Sequence, residues 1–366
     1  MRFYVPTDLR IGANIVSASG EAIAARGKRC LVLTGAASAK KSGALDDLLA
    51  VLNGARIDCR IYDRIRQNPT VDACREAGAL ACGMHADFIV GIGGGSVLDA
   101  AKAAAVFAAN PDLDEDALYA YAWPHAPLPT VCIGTTAGTG SEVTPVSVLT
   151  DKNGRKRSIR SDLLYPALSL GDARYLASLD PTFTRSCAVD AAAHCIESFF
   201  NRGATQISRL FACRGAATLS KLLDRLDALT DGEREQLYLA SIYGGYAISV
   251  TGTAFPHAMG YFLTEQFSVP HGTACAVFLP AFLHHAASAA PQETAAFVSQ
   301  TGCGVQSWID LLGRATPPCD VTLTHAQIES LRPRFVRNSG IARTIGSFTD
   351  ADAVRTLTEI FTKKGD

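Results

Sequence analysis

The chain carries almost no net charge: 34 Lys and Arg against 35 Asp and Glu leave −1 at neutral pH, with an isoelectric point near 6.7. No basic excess offers itself to nucleic acid or to an anionic membrane surface, and both are excluded as partners on that ground. No uncharged apolar stretch reaches about 18 residues, the least a membrane-spanning helix requires. The opening residues, Met1 to Asp8, lack the apolar run of a secretory signal, so a cytoplasmic location is expected. There is also no Cys-x-x-Cys. The 11 cysteines are odd in number and scattered through 366 residues, a length that needs no staples. They are expected to be reduced, small interior residues. Apolar residues, by contrast, are plentiful at 48% against 19% charged, enough for two domains with cores of their own.

The first half alternates strand and helix. A short strand is expected at Phe3-Tyr-Val5 and a helical stretch before Arg29. Arg29-Cys-Leu-Val-Leu-Thr34 is a compact apolar strand ending at Gly35. A turn over 36–43, a helix over 44–52 and a second strand over 57–62 follow. Strand, glycine turn, helix and strand make a βαβ unit, which implies a parallel sheet covered by helices. After Asn68-Pro-Thr70, an alanine-rich helix leads to Asp87-Phe-Ile-Val-Gly-Ile-Gly-Gly-Gly-Ser96, a strand running into glycines, and then to a helix from Val97. Glycines let a backbone approach a pyrophosphate, and a helix N-terminus favours the anion. The spacing departs from Gly-x-Gly-x-x-Gly, because Ser96 stands where the last glycine would be. A phosphate cradle and a purely conformational turn are both open readings; the flanking strand and helix favour the cradle. A strand over 129–134 runs into Thr135-Thr-Ala-Gly-Thr139-Gly-Ser141. These hydroxyls can bond ribose, phosphate or a nicotinamide amide, or make an ordinary polar turn. Asp151 to Arg157 reads as a basic hairpin turn. From about Leu176 the pattern is helical throughout, and a single boundary near Ala177 divides residues 1–177 from 178–366.

In the helical half one carboxylate stands out. Asp190 and His194 lie four apart in an alanine-rich helix and share a face. His257 comes 63 residues after His194, and His271 14 later. One carboxylate oxygen and three imidazole nitrogens suit Zn²⁺ or Fe²⁺. A lone histidine in an apolar helix is more often a hydrogen-bonded interior residue. Asp190 is harder to place that way, since it has no Lys or Arg within four residues and would bear several kcal/mol of desolvation. A metal removes that cost. His284 and His285, on a later apolar helix, read as structural.

Together these motifs resemble the iron-containing (group III) alcohol dehydrogenase family over nearly the whole chain. The residues that carry the likeness are Gly93-Gly94-Gly95-Ser96 with Asp99 and Lys102, Thr135 to Val143, Asp190-x-x-x-His194, and the pair His257 and His271. The resemblance implies a dehydroquinate synthase-like architecture: an N-terminal α/β dinucleotide-binding domain with a mostly parallel sheet, an all-α C-terminal domain, and metal and substrate in the cleft between them. It implies Asp190, His194, His257 and His271 as ligands of Fe²⁺ or Zn²⁺. It places Gly94, Gly95 and Ser96 at the pyrophosphate, Thr135 and Thr136 near the nucleotide and Lys156 near the cofactor; Gly93, Asp99, Thr139 and Ser141 join that cofactor-binding set. A homodimer is also implied. The expected reaction is NAD(P)-dependent oxidation of a small primary alcohol or diol, or reduction of a functionalised aldehyde, by hydride transfer at a metal-polarised carbonyl.

Two positions depart from the family pattern. Tyr261 stands where many members carry a histidine beside the nicotinamide pocket, and is expected at the pocket wall. Cys187-Ala-Val-Asp190 lacks the usual glycine before Val-Asp. The alternatives are a glycerol dehydrogenase-like or dehydroquinate synthase-like enzyme, or a metal- and nucleotide-binding protein without turnover. The Asp-x-x-x-His spacing and the 14-residue gap favour the alcohol dehydrogenase. NADP(H) is expected in preference to NAD(H). Gly35 occupies the place where an Asp would bind a 2′-hydroxyl and repel a 2′-phosphate. Ser38, Lys40 and Lys41 follow as donors.

Overall fold

The computed structural model describes residues 2–362. The chain divides into two compact units, one of Arg2–Asp180 with Thr230–Tyr238, the other of Pro181–Leu229 with the residues from Leu239 onward. Where the sequence suggested one cut after residue 177, the structure has a cut at Asp180 and a short segment that returns to the first unit. The return has a clear cause: Tyr238, fully buried, donates its hydroxyl to Glu142 Oε1 at 3.0 Å.

In the sheet unit β1 (Asp8–Ile11), β2 (Arg29–Thr34), β3 (Asp58–Tyr62), β4 (Phe88–Gly93), β5 (Thr130–Gly134) and, after a hairpin of β6 (Val146–Thr150) and β7 (Lys156–Arg160), β8 (Leu168–Gly171) appear in chain order. Six of them form one parallel sheet in the order β1-β8-β5-β4-β2-β3. Parallel strands covered on both faces lose the apolar-polar alternation, and every residue of β4, β5 and β8 is buried. Cys30 and Val32 pack with Leu48 and Leu52 of the helix Ala44–Gly54 on one face. Leu31 and Leu33 pack with the helices Val71–Gly83 and Gly95–Ala109 on the other. This is the period-two alternation of a strand read across the sheet.

Two local expectations are corrected. The strand expected at Phe3–Val5 forms instead at Asp8–Ile11, beyond Pro6, which has no N–H for a ladder. Phe3 and Tyr4 stay exposed, with Tyr4 edge-on to Tyr165 at 5.9 Å. The turn over 36–43 contains one turn of helix, Ser38–Lys41.

The second unit has no β-strand among its described residues. Its main helices are Pro181–Phe199, Gln206–Leu222, most of Asp231–Thr251, Phe255–Phe267, His271–Ala276 and Leu279–Ala289, followed among the described residues by five further α-helices between Pro291 and Phe361. Aromatic packing closes its core, with Phe297 5.0 Å from Phe199 and 5.2 Å from Phe200, ring centre to ring centre. Among the described residues no helix is long and apolar enough to cross a membrane.

Candidate functional site

The helix Pro181–Phe199 opens on a proline, whose missing N–H costs nothing at the first helical position. From Ala188 to Phe199 every residue is buried, so over this stretch the helix has no solvent face to which its polar groups could turn. Asp190, His194 and Glu197 follow at spacings of four and three along one side. The helix His271–Ala276 packs on it so closely that a Cβ on Gly272 would lie 1.9 Å from Ser186 O and 2.8 Å from Asp190 Cβ. Only glycine after His271 allows that approach, which brings the imidazole beside Asp190. The helix Phe255–Phe267, with Pro256 in its first turn, delivers His257.

A carboxylate oxygen ringed by imidazoles results. Asp190 Oδ1 lies 3.5 Å from His257 Nε2, 3.9 Å from His194 Nε2 and 4.0 Å from His271 Nε2. These separations approach the edge of about 3.4 Å that ligands at about 2.1 Å make around a tetrahedral ion. His194 stacks on His257 with ring centres 4.7 Å apart, and His271 meets His257 edge-on at 5.3 Å. Asp190, His194 and His257 are buried, whereas His271 keeps 27% of its side chain exposed and marks the open side of the cluster. Asp190 Oδ1 and His257 Nε2 are both buried and make no hydrogen bond. Orphaned polar atoms of this kind are costly, and a divalent cation would satisfy both.

The electrostatics point the same way. Burial pushes the Asp190 carboxyl up, but His194, His257 and His271 outweigh it and hold the group well below the usual carboxylate range. Burial likewise disfavours a charged His257, yet Cys275, Glu197 and Asp190 raise its proton affinity well above the ordinary value.

Two members of the cluster are passed over by the sequence reasoning. Glu197, 0% exposed, accepts from His257 Nδ1 at 2.5 Å and from the backbone N–H of Ala254 at 2.7 Å. The first bond fixes the tautomer with Nδ1 protonated and Nε2 turned to Asp190; the second satisfies an N–H at the start of the helix Phe255–Phe267. Its signal was a second carboxylate seven residues after Asp190. The other is Cys275, whose Sγ lies within 4.8 Å of the donor atoms of Asp190, His257 and His271. Its signal was the spacing of four from His271.

In the sheet unit the carboxyl ends of β2 and β4 are adjacent, with Thr34 beside Ile92. The strand order reverses there, since β2 leads to β3 on one side while β4, β5 and β8 lie on the other. Open parallel sheets bind ligands at such a reversal. Gly94, in extended conformation, is the N-cap of the helix Gly95–Ala109. A Cβ on Gly95 would lie 2.5 Å from Thr139 Cγ2, and one on Gly94 2.9 Å from Thr136 Cγ2. The missing side chains let this helix N-terminus close onto the threonine loop. Thr135 Oγ1 is buried without a hydrogen-bond partner, and Ser96 Oγ accepts from Asn68 N at 3.2 Å.

Several predicted residues here hold the loop itself. Ser141 Oγ donates to Asp99 Oδ1 at 2.6 Å, and Val148 N donates to Asp99 Oδ2 at 2.8 Å. Lys102, 0% exposed, donates from Nζ to the carbonyls of Ser141, Thr144 and Val146 at 2.8, 3.0 and 2.9 Å. Thr139 Oγ1 accepts from Ser141 N at 3.3 Å. Burial raises the proton affinity of Asp99, outweighing Lys102, Ser141, Val148 and, last, Lys156, which opens β7 and lies near enough to pull it down. At the end of β2, Ser38, Lys40 and Lys41 are exposed. A Cβ on Gly35 would meet Ile65 O at 3.4 Å and Ser38 Oγ at 3.5 Å.

Residues 6–173 match the iron-containing alcohol dehydrogenase family, and residues 184–307 match the C-terminal part of the Fe-containing alcohol dehydrogenase family. A 1,3-propanediol dehydrogenase from Citrobacter freundii is 32% identical over 302 residues, 80% of this chain and 77% of that one. The chain belongs to the iron-containing alcohol dehydrogenase family. A solved iron-containing alcohol dehydrogenase from Thermotoga maritima is 34% identical, with 98% of this chain and 99% of that one covered and a TM-score of 0.91. The structure of a sulfoacetaldehyde reductase from Bifidobacterium kashiwanohense in complex with NAD⁺ is 26% identical, with 98% of each chain covered and a TM-score of 0.87.

As an alcohol dehydrogenase the protein is an oxidoreductase acting on CH–OH groups. In this alcohol dehydrogenase Tyr261 stacks on His271, ring centres 5.8 Å apart. His285 bonds Ile345 O at 2.8 Å and His284 is exposed, so both lie outside the cluster.

Proposed function

We propose that this alcohol dehydrogenase interconverts a small primary alcohol or diol, or a functionalised aldehyde, with NADP(H) in preference to NAD(H), and that it holds Fe²⁺ or Zn²⁺ on Asp190, His194, His257 and His271. The observation that carries the reading is the convergence of three imidazole Nε2 atoms within 4.0 Å of one buried carboxylate oxygen. The overall reaction is alcohol + NAD(P)⁺ ⇌ aldehyde or ketone + NAD(P)H + H⁺. A divalent ion supplies Lewis acidity toward a carbonyl oxygen when bound there, and the nicotinamide supplies or takes the hydride. Asp190 gives the ligand set a single negative charge, so three neutral imidazoles leave the pair of ion and ligands with positive charge. Glu197 keeps His257 in the tautomer that presents Nε2. Tyr261, stacked along the partly exposed His271, forms the wall beside the open side of the cluster.

In the sheet unit the N–H groups at Gly94 to Ser96 take the pyrophosphate, and Thr135, with its buried unpartnered hydroxyl, takes a polar group of the nucleotide. Thr136 and Lys156 complete that set. The NADP(H) preference rests on Gly35, which leaves the end of β2 without a carboxylate, and on the exposed Ser38, Lys40 and Lys41 beside it. Incubation of metal-loaded protein with NADPH, or NADH, and a panel of short aldehydes that includes hydroxy- and sulfo-substituted ones tests the reading. Oxidation of NADPH by at least one aldehyde, faster than of NADH, is expected. No absorbance change with any aldehyde would favour a metal- and nucleotide-binding protein without turnover.

A further inference from the structure

Five donor groups, not four, converge on the space beside Asp190. Besides the carboxylate and the three imidazoles there is the thiol of Cys275, which is fully buried. Its Sγ lies 3.7 Å from His271 Nδ1 and 3.9 Å from His271 Nε2. The donor atoms of Asp190, His257, His271 and Cys275 all lie within 4.8 Å of one another. Around a tetrahedral ion a sulfur at about 2.3 Å and a nitrogen at about 2.1 Å stand roughly 3.6 Å apart, close to the separation found here. The placement follows from the sequence, because His271 and Cys275 are four apart on one helix and so share its face. Away from this cluster no group of three such donors converges among the described residues, although ten further cysteines are spread through the chain.

We propose that Cys275 supplies a thiolate to a thiophilic ion in this cluster, so that Asp190, His257, His271 and Cys275 form a second ligand set that takes Zn²⁺ or Cd²⁺. The proposal rests on the reading of the cluster as a metal centre. Thiolate selects soft and borderline ions, while carboxylate and imidazole also serve harder ones. On binding, the ion replaces the thiol proton, which leaves to water, and one metal–sulfur bond forms. The two sets differ in charge. A divalent ion among Asp190 and three imidazoles keeps one positive charge, whereas among Asp190, Cys275 and two imidazoles it is neutralised. Cys275 would therefore couple the identity of the ion to its pull on a carbonyl oxygen.

The test strips the full chain with a chelator and titrates it with Cd²⁺, following the ultraviolet band of cadmium–thiolate charge transfer, in parallel with Cys275→Ser, Cys275→Ala and Asp190→Ala. The other cysteines contribute equally to all four and cancel in the differences. The wild type is expected to show an extra thiolate band that saturates at one Cd²⁺ per chain and is absent from both Cys275 variants. Those variants should bind Cd²⁺ at least about tenfold more weakly, with Mn²⁺ affinity unchanged, because Mn²⁺ does not prefer sulfur. Equal absorbance and equal Cd²⁺ affinity in wild type and Cys275 variants, with the ion still lost in Asp190→Ala, would overturn the thiolate while leaving the metal centre standing. Cd²⁺ binding that does not depend on Asp190 would overturn both. Cadmium NMR of the wild type alone is decisive should the variants fail to fold: a shift in the sulfur-ligated range supports the thiolate, and one in the nitrogen and oxygen range contradicts it.

Discussion

The cluster around Asp190 is made of side chains, and the loop at the end of β4 is made by leaving side chains out. In the first, the buried part of a helix, without a solvent face from Ala188 to Phe199, carries a carboxylate and an imidazole, and two more imidazoles close on the same oxygen. In the second, Gly94 and Gly95 bring a helix N-terminus against Thr136 and Thr139 so tightly that no Cβ fits. On the proposed reading, one site would bind with side-chain atoms it has, the other with backbone N–H groups at a helix N-terminus. They should fail in opposite ways: the cluster when a group is removed, the loop when a group is added.

The largest expected effect is at the cluster. Asp190→Ala or His257→Ala should abolish metal retention and turnover, since either leaves buried partners unsatisfied and the ligand set short. NADPH binding, followed by fluorescence titration, should remain measurable because the nucleotide loop belongs to the other unit. Full metal content and activity in either variant would refute the ligand assignment. Next comes the addition. A methyl group on Gly95 would sit 2.5 Å from Thr139 Cγ2, and overpacking of that kind costs about 1–3 kcal/mol. Gly95→Ala should thus weaken NADPH binding by about tenfold to a hundredfold while metal content stays at the wild-type level. A loss of metal with unchanged nucleotide affinity would erase the contrast between the two sites.

A smaller effect is expected at Gly35. The position has room for a side chain, its nearest neighbours lying 3.4 Å or more from a Cβ, so Gly35→Asp should fold normally. The carboxylate should lower kcat/KM for NADPH about tenfold or more and spare or improve NADH. Equal weakening of both cofactors, or equal use of both by the unmodified protein, would end the NADP(H) assignment. Smallest of all is Tyr261→Phe, which keeps the stack on His271 and should change kcat less than about tenfold, whereas loss of a general acid or base costs about a hundredfold or more. A hundredfold fall would give the hydroxyl a part in proton transfer.

What could be read from the sequence followed from periodicity and from the cost of burial. Asp190 and His194 were legible because the helix period puts them on one face and an alanine run offers a carboxylate no partner. The parallel sheet and the glycine turn after β4 were legible from strand and helix alternation. Glu197 was not, since a glutamate in the last turn of a helix ordinarily faces water, and only burial all round turns it inward to His257. Cys275 passed as an inert interior thiol until the close packing at Gly272 placed its helix against Asp190. Asp99, Lys102 and Ser141 were recognised as a motif, but that they bond one another to hold the threonine loop depends on the path of residues 141–148, which no local pattern encodes. The shift of β1 past Pro6 and the return of Thr230–Tyr238 to the sheet unit are of the same kind.

The central claim is that turnover depends on one divalent ion held at Asp190. Metal analysis of anaerobically purified protein, joined to aldehyde-dependent oxidation of NADPH before chelation, after chelation and after reloading, tests it most directly. The account predicts about one Fe²⁺ or Zn²⁺ per chain, activity that disappears with the ion and returns on reloading, and no return in Asp190→Ala. Full aldehyde reduction by protein that contains no metal would contradict it.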